Sequence, residues 1–330
     1  MSEVQQLFER FHGKKILVIG DVMIDAYVRG KVNRLSPEAP VPIVSLEKQE
    51  DRLGGAANVA INLVALGAAP IICSVVGNDK QANDLKELLY SSGISSDGLI
   101  FSASRQTTVK TRVIGNNQQL LRIDSEQTNP ISKVEEDEVL LKIKDLLESG
   151  IDGIIFEDYN KGVLTPAVIE KVILQANAAN VITAVDPKKE NFLAYKGVSL
   201  FKPNLKELRE GLNLNFSFSP NNKSDFEKAV FELEKQLENR ISFVTLSEHG
   251  VFIKGDQKNH YAAAHLRNIA DVSGAGDTVI AVATLCLICG AKLELVAELA
   301  NIAGGLVCEK SGVVSIDREQ LIHEAKSLLN

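Results

Sequence analysis

Asp271-Val-Ser-Gly-Ala-Gly-Asp277-Thr278 is the stretch that decides how this chain is interpreted, because an apolar run at 279–289, typical of a buried helix, follows it directly. Gly274-Ala275-Gly276 should open that helix, where small residues let an anion approach free backbone N–H groups and the positive end of the helix dipole. A carboxylate repels such an anion, so Asp277 requires a chemical role, and accepting the proton of an attacking hydroxyl is one. The motif alone is equally consistent with a tight glycine turn in which Asp277 is an ordinary first-turn acid.

The composition is that of an ordinary globular protein and argues against two classes of partner. Hydrophobic residues make up 45% of the 330 positions, and the net charge of −7 argues against a nucleic-acid partner. No apolar run is long enough to span a bilayer and Met1–His12 is too polar for a signal peptide, so we expect a cytoplasmic protein without a membrane partner. The four cysteines predict buried thiols rather than disulfides: Cys73, Cys286, Cys289 and Cys308.

Short apolar runs alternate with helical patterns along most of the chain. This alternation predicts an α/β fold, a mostly parallel sheet with helices on both faces, in a single domain over residues 1–330. The predicted strands are 14–20, 71–77, 153–156, 181–186, 200–202, 242–246 and a hairpin of 250–254 with 259–264, with 265–270 either a strand or a loop. The predicted helices are 59–66, 82–92, 136–147, 166–178, 205–211, 225–237, 278–289 and 293–310.

Two segments, 21–52 and 104–124, interrupt this pattern with β character of another kind. The first contains two exposed strands separated by the proline-rich stretch 36–42, and the second reads as a hairpin around Gly115-Asn-Asn117. Together they predict a small β-sheet lid. A small sheet with one apolar face cannot stay exposed to water on both sides, so we expect the lid to pair two subunits in a homodimer.

Polar residues follow nearly every predicted strand, at the edge where parallel sheets bind ligands. An α/β scaffold also places polar residues there without any function, so their position alone does not identify a site. The residues concerned are Asp21, Asp25, Glu157, Asp158, Lys161, Asp186, Lys188, Asn204, Glu207 and the turn Ser247–Gly250.

Three motifs in order resemble those of the ribokinase-like, phosphofructokinase B type carbohydrate kinases. They are Gly54-Gly-Ala-Ala-Asn-Val-Ala60, then Asn204-Leu-Lys-Glu207, then the 271–277 stretch, and the resemblance covers essentially the whole chain. It implies a ribokinase-like fold and an ATP-dependent sugar kinase that needs Mg²⁺. The chain lacks the Gly-x4-Gly-Lys-Ser/Thr motif of P-loop kinases and the G-x-G-x-x-G of dinucleotide-binding proteins, which disfavours both classes.

Within that family, the chain is most similar to the heptose-kinase domains of ADP-heptose synthases. The similarity rests on Gly20-Asp-Val-Met-Ile-Asp25, on 34–42, on Asp158-Tyr-Asn-Lys-Gly162 and on Val185-Asp-Pro-Lys188. It implies phosphorylation of D-glycero-β-D-manno-heptose 7-phosphate at O1, on the route to ADP-heptose and the lipopolysaccharide core. Glu157 departs from the family, which more often has a small residue there.

The chain ends at Asn330 without an H-x-G-H motif. We therefore expect no adenylyltransferase domain, and either a stand-alone kinase or an isolated kinase module.

The resemblance also implies roles for individual residues on the nucleotide side. Asp277 would take the proton of the sugar hydroxyl, and the amides of Gly274, Ala275 and Gly276 would hold the migrating phosphoryl group. Asn204 and Glu207 would organise Mg²⁺, Glu207 acting through water. The remaining nucleotide-side candidates are Lys188, Ser247, Gly250 and Asn301.

On the sugar side, the resemblance points to residues before and within the first glycine motif. Gly54, Gly55 and Asn58 would contact the sugar, and Asp25 would accept hydrogen bonds from two of its hydroxyls. A phosphate at the far end of the sugar calls for Arg or Lys, and Lys161 is preferred over Arg34, Arg112 and Arg122. Two alternatives stay open: another sugar or sugar-phosphate kinase of the same family, and a non-catalytic sugar or nucleotide sensor.

Overall fold

The computed structural model describes residues 2–256 and 258–329, and its strands and helices alternate along the chain. The strands are β1 (Lys15–Gly20), β2 (Val22–Leu35), β3 (Pro42–Gly55), β4 (Ala69–Gly77), β5 (Ser95–Ser102), β6 (Val109–Gly115), β7 (Gln118–Ser125), β8 (Gly153–Glu157), β9 (Ile182–Asp186), β10 (Leu200–Phe201), β11 (Ile241–Thr245), β12 (Val251–Gly255) and β13 (Lys258–Ala262). The helices are α1 (Glu3–Arg10), α2 (Ala56–Ala65), α3 (Lys80–Ser91), α4 (Lys133–Glu148), α5 (Pro166–Ala178), α6 (Leu205–Leu212), α7 (Ser224–Leu237), α8 (Ala275–Ile288), α9 (Leu293–Cys308) and α10 (Arg318–Leu329).

A nine-stranded sheet forms the centre of the molecule, in the order β13-β12-β11-β10-β9-β8-β1-β4-β5. Pairing is parallel from β5 to β11, and the hairpin of β12 and β13 adds two antiparallel strands at one edge. Apolar side chains fill both faces: one core lies under α1, α2, α3, α8, α9 and α10, and the other lies under α4 to α7. The α/β fold expected from the sequence is confirmed.

A second, four-stranded sheet is built from β2, β3, β6 and β7, in the order β3-β2-β6-β7. Its strands are antiparallel except for the parallel pair of β2 and β6, and they lie within or next to the segments 21–52 and 104–124. Only Asp21 separates β1 from β2, so this small sheet is joined directly to the carboxyl edge of the large one.

Three elements were absent from the sequence-based prediction: α1, β5 and α10. The strand β5 begins with Ser95-Ser-Asp-Gly98, which is typical of a turn, and it forms only because it pairs in parallel with β4 at the sheet edge. Helix α1 has eight residues, a capping box at Ser2 starts it, and it buries Val4, Leu7 and Phe8. Residues 265–270 form a loop, one of the two predicted outcomes.

None of the described helices combines the length and the hydrophobicity that crossing a bilayer requires.

Candidate active site

A cavity of about 250 Å³ lies between the small sheet and the first turn of α8. Its walls come from distant parts of the chain that the two sheets bring together. The small sheet contributes the glycine pair that precedes α2, one acid and three cationic side chains, and the other wall is the N-terminus of α8. The residues that matter below are Asp25, Gly54, Gly55, Asn58, Lys110, Arg112, Arg122, Tyr159, Gly274 and Asp277.

Asp277 is buried at the bottom of this cavity, with only 7% of its surface exposed. Its Oδ2 accepts a hydrogen bond from Asn58 Nδ2 at 2.5 Å, and its Oδ1 lies 3.4 Å from the Tyr159 hydroxyl. Burial raises the pKa of Asp277 to about 6, with the hydrogen bond of Asn58 opposing the rise and the charge of Asp186 adding to it. A carboxylate with such a pKa is ionised at neutral pH and basic enough to accept a proton from a hydroxyl.

The backbone before α8 is shaped to receive an anion. Gly274 is the N-cap with φ of 80°, a conformation that favours glycine, and a Cβ there would lie 3.0 Å from Asn58 Nδ2. Within residues 2–256 and 258–329, the amides of Gly274, Gly276 and Asp277 have no hydrogen-bond acceptor, whereas the amide of Ala275 donates to the Val272 carbonyl at 3.3 Å. These free N–H groups and the helix dipole favour negative charge at this point.

Behind Asp277 lies a network of buried acids and lysines at the ends of β8, β9 and β10. Asp186 Oδ2 pairs with Lys202 Nζ at 2.8 Å, and Lys188 Nζ lies 3.7 Å from Asp186 Oδ1. Burial would raise the pKa of Asp186, but the two lysines outweigh it and hold this pKa below its usual value. Burial likewise opposes the charge of Lys188, yet Asp186 and Glu207 raise its pKa above the usual range. Both residues of each pair are therefore charged.

Asn204 and Glu207 form the capping box of α6. Asn204 Oδ1 accepts the Glu207 amide at 2.8 Å, and Glu207 Oε2 accepts the Asn204 amide at 2.9 Å. The other oxygen of Glu207 accepts a hydrogen bond from Lys188 at 3.0 Å. Because both oxygens already have protein partners, Glu207 suits contact with a water of a bound Mg²⁺ better than direct coordination.

On the small sheet, Asp25 is held in an ion pair with Arg112, whose Nη1 donates to Asp25 Oδ1 at 2.6 Å. A Cβ on Gly54 would come within 2.4 Å of Asp25 Oδ2, so glycine at 54 is what allows this carboxylate to take its place. Gly55 has φ of 60° and leads the chain from β3 into α2, which carries Asn58 to the same cavity.

Several residues expected at the site lie outside the cavity. Lys161 Nζ pairs with Glu126 Oε1 at 2.6 Å, and Arg34 is exposed towards the far end of β2. Ser247 and Gly250 form the turn between β11 and β12, and Asn301, on α9, donates to the Ala263 carbonyl at 2.8 Å.

Two other acids that follow strand ends, Asp21 and Asp158, hold neighbouring loops in place through hydrogen bonds. Asp21 accepts the backbone N–H groups of Tyr159, Lys161 and Val163 at 3.0–3.2 Å, and this fixes the loop after β8 to the end of β1. Asp158 accepts hydrogen bonds from the Tyr195 hydroxyl at 2.8 Å and from Asn191 at 3.0 Å.

Sequence reasoning missed Tyr159, Lys110 and Lys202. Lys202 lies directly after the strand Leu200–Phe201, but its burial, at 2% exposure, is a feature of the fold and not of the local sequence. Tyr159 and Lys110 had no local signal either, since each reaches the site through the tertiary arrangement of its loop or strand.

The chain belongs to the pfkB family of carbohydrate kinases, which residues 13–320 match. It is therefore a sugar kinase, and the family implies the use of ATP. Solved structures agree: phosphofructokinase-2 from Escherichia coli, in complex with potassium, has a TM-score of 0.78 at 19% identity and covers 96% of this chain and 100% of its own. Ribokinase from Arabidopsis thaliana, complexed with ribose and ATP, has a TM-score of 0.69 at 17% identity. The match covers 94% of this chain and 99% of the ribokinase chain. At these identities the likeness establishes the ribokinase-like fold alone.

Closer relatives carry the name bifunctional protein HldE. That of Methylobacillus flagellatus is 39% identical over 312 residues, which make up 94% of this chain and 63% of the relative. That of Wolinella succinogenes is 40% identical over 297 residues, which make up 90% of this chain and 61% of the relative. That of Helicobacter pylori is 39% identical over 310 residues, which make up 93% of this chain and 65% of the relative. The chain thus spans less than two thirds of each of these relatives.

We predict that Asp277→Asn lowers kcat by about 10²–10⁴-fold and leaves ATP binding nearly intact. The side chain keeps its size and its contact with Asn58 but cannot take a proton, and a general base typically contributes that factor. Steady-state kinetics and calorimetric titration with ATP check the two halves. A variant that retained the wild-type kcat would remove Asp277 from the chemistry.

Proposed function

We propose that this chain is an ATP-dependent kinase that phosphorylates D-glycero-β-D-manno-heptose 7-phosphate at O1. The product would be the 1,7-bisphosphate, an intermediate for ADP-heptose and the lipopolysaccharide core. Identity of 37–40% to HldE proteins over most of the chain supports this substrate class. The observation that carries the proposal is a single cavity with the base Asp277 at one end and three cationic side chains on its other wall.

Those cationic side chains are Lys110, Arg112 and Arg122, all on the paired strands β6 and β7. Without a ligand, each is held by a carboxylate: Lys110 by Asp124 at 3.5 Å, Arg112 by Asp25 at 2.6 Å, and Arg122 by Asp124 at 2.7 Å. A phosphate dianion carries more charge and more acceptor oxygens than one carboxylate, so it would compete for these donors. This set would hold the 7-phosphate.

Lys161 stays a second candidate for the same phosphate. Its ammonium lies outside the cavity, yet its partner Glu126 is also 3.3 Å from Lys110 Nζ, so the two lysines share one acid. Rearrangement of Glu126 would release both.

The sugar would lie between the phosphate-binding strands and Asp277. Asp25 and Asn58 would bind its hydroxyls, and the glycine pair Gly54-Gly55 leaves room for the ring against the backbone. The O1 hydroxyl would then give its proton to the Asp277 carboxylate as O1 attacks the γ-phosphorus and ADP leaves. The N–H groups of Gly274 and Gly276 would stabilise the transferred group, joined by that of Ala275 once it leaves the Val272 carbonyl, and each aligned donor would contribute roughly 3 kcal/mol in the transition state.

The nucleotide would lie on the other side of α8. Lys188 would reach the ATP phosphates, and Ser247, Gly250 and Asn301 would line the nucleoside site. Asn204 and Glu207 would orient the waters of Mg²⁺, whose charge neutralises the phosphates when it is bound.

The proposal is tested by an ADP-release assay across heptose 7-phosphate, the unphosphorylated heptose, fructose 6-phosphate and ribose. We expect the highest kcat/KM with heptose 7-phosphate, because it carries a phosphate for Lys110 and Arg122 at the end of the sugar away from O1, which ribose and the unphosphorylated heptose lack. A preference for an unphosphorylated sugar would overturn the substrate assignment, and a preference for fructose 6-phosphate would identify another kinase of the family.

In the same assay, Lys110→Met and Arg122→Met should raise KM for the sugar phosphate about tenfold to a hundredfold, since a charge-assisted bond contributes roughly 1.5–3 kcal/mol. KM for ATP should hardly change. Lys161→Met tests the second candidate for the phosphate in the same way. The control is Lys206→Met, because the side chain of Lys206 on α6 is 80% exposed. Equal losses for both substrates would place these cations elsewhere.

We also propose that the small sheet is a lid that pairs two copies of the chain. Its exposed apolar side chains include Leu35 (61%), Leu46 (61%), Leu121 (48%) and Ile123 (54%), too many for a surface that stays in water. Leu121→Lys with Ile123→Lys should convert a dimer into a monomer in sedimentation velocity. Leu174→Lys, at a 61% exposed leucine of α5, should not. A wild-type monomer at micromolar concentration would contradict this pairing.

A further inference from the structure

Glu157 is the last residue of β8 and is buried, with 1% exposure. In the parallel sheet it pairs with Gly20 of β1 and with Asp186 of β9, so its side chain leaves the sheet on the same face as that of Asp186. This face lies under the first turn of α8. One oxygen atom from each of Glu157, Asp186 and Asp277 falls within 4.8 Å of the other two.

Each of the other acids near Glu157 has a cation or a hydrogen-bond donor as its partner. Asp186 pairs with Lys202, Glu207 pairs with Lys188, and Asp277, in the first turn of α8, accepts a hydrogen bond from Asn58. Among the residues that the structure describes, no donor reaches either oxygen of Glu157. An ionised carboxylate in that position would be desolvated, unpaired and beside two anions.

We propose that Glu157 is a neutral carboxylic acid in the working enzyme, and that its O–H is a hydrogen-bond donor to the Asp186–Asp277 pair. Of the two acids that have no cationic partner, Asp277 and Glu157, it is Glu157 that takes the proton, because Asp277 has hydrogen-bond donors and the helix dipole whereas Glu157 has neither. The neighbouring charges agree: burial first, then Asp186 and Asp277, raise the pKa of Glu157 well above its usual value, against the weaker effect of Lys188 and Lys202. Tyr159 and Tyr195, which also interact with the charge of Glu157, are themselves neutral because burial raises the pKa of each hydroxyl.

A neutral Glu157 has two consequences for its neighbours. It adds no negative charge next to Asp277, so Asp277 can ionise near neutral pH. Its O–H also gives a donor to a pair of carboxylates that would otherwise repel each other. Glu157 thus acts through Asp277 as a positioning residue, a role that rests on the proposed kinase reaction.

Infrared spectroscopy of the free enzyme tests the protonation state without substrate, so its result does not depend on the proposed function. At about pH 8, roughly two units above the pKa of Asp277, the C=O band of a protonated carboxylic acid should be present in the wild type. It should disappear in Glu157→Gln and persist in Glu148→Gln, whose side chain is 68% exposed. Absence of the band in the wild type, or its survival in Glu157→Gln, would overturn the proposal.

Kinetics test the positioning role. Glu157→Gln keeps a neutral donor of the same size, so we expect kcat/KM within about threefold of the wild type and an unchanged acid limb of the pH profile. Glu157→Ala loses the donor, so the acid limb of its pH profile should move up by about one pH unit. The free energy of a hydrogen bond to a charged group corresponds to a pKa shift of about one unit or more. Circular dichroism establishes that both variants fold, and a folded Glu157→Ala with the wild-type profile would refute the role.

A bound cation is the competing explanation for three neighbouring carboxylates. Titration of the free enzyme with Mg²⁺ or Mn²⁺ separates the two, because a cation held by Glu157 requires it to be ionised. We expect the infrared band to survive millimolar Mg²⁺. Loss of the band on Mg²⁺ addition, together with Mn²⁺ binding that Glu157→Gln abolishes, would replace the neutral acid by a metal ligand.

Discussion

The burial of several carboxylates at the carboxyl ends of β8 and β9 is the constraint on which the site depends. At such short separations in a poorly solvated interior, like charges repel by several kcal/mol unless each has a cation, a donor or a proton. Asp186 has Lys202, Glu207 has Lys188, and Asp277 has Asn58 and the start of α8. Asp277 is thus the carboxylate that is ionised without a cation as its partner. A general base needs to be ionised and to remain able to accept a proton, and this arrangement meets both conditions.

The small sheet connects Asp277 to the other wall of the cavity. Because one residue connects β1 to β2, the strand that carries Asp25 begins at the edge where Asp186 and Asp277 meet. Asp21, the connecting residue, also holds the loop after β8 through three backbone N–H groups, and that loop carries Tyr159 to Asp277. The two walls of the cavity are thus fixed to the same strand ends, and a shift of the small sheet changes the space above Asp277.

The architecture was predictable from the sequence because strand–helix alternation and glycine motifs are local signals. Helix α5 matches its predicted bounds, and the opening of α8 at Gly274 follows from the glycines of the motif. The partners within the site were less accessible. The ion pairs of Arg112 with Asp25 and of Lys161 with Glu126 join residues 87 and 35 positions apart, and no local pattern distinguishes them from surface charges. Strand β5 was missed for a similar reason, since its pairing with β4 rather than its own sequence makes it a strand.

The pH dependence of kcat/KM for the wild-type kinase tests the role of Asp277 most directly. Its pKa is raised to about 6, and the base must be ionised, so the rate should be level above that value and fall about tenfold per pH unit below it. Burial also raises the pKa of Asp21 to about 6, so circular dichroism over the same range must show that the fold persists. A kcat/KM that stays constant down to about pH 5 in a folded enzyme would contradict a buried Asp277 as the base.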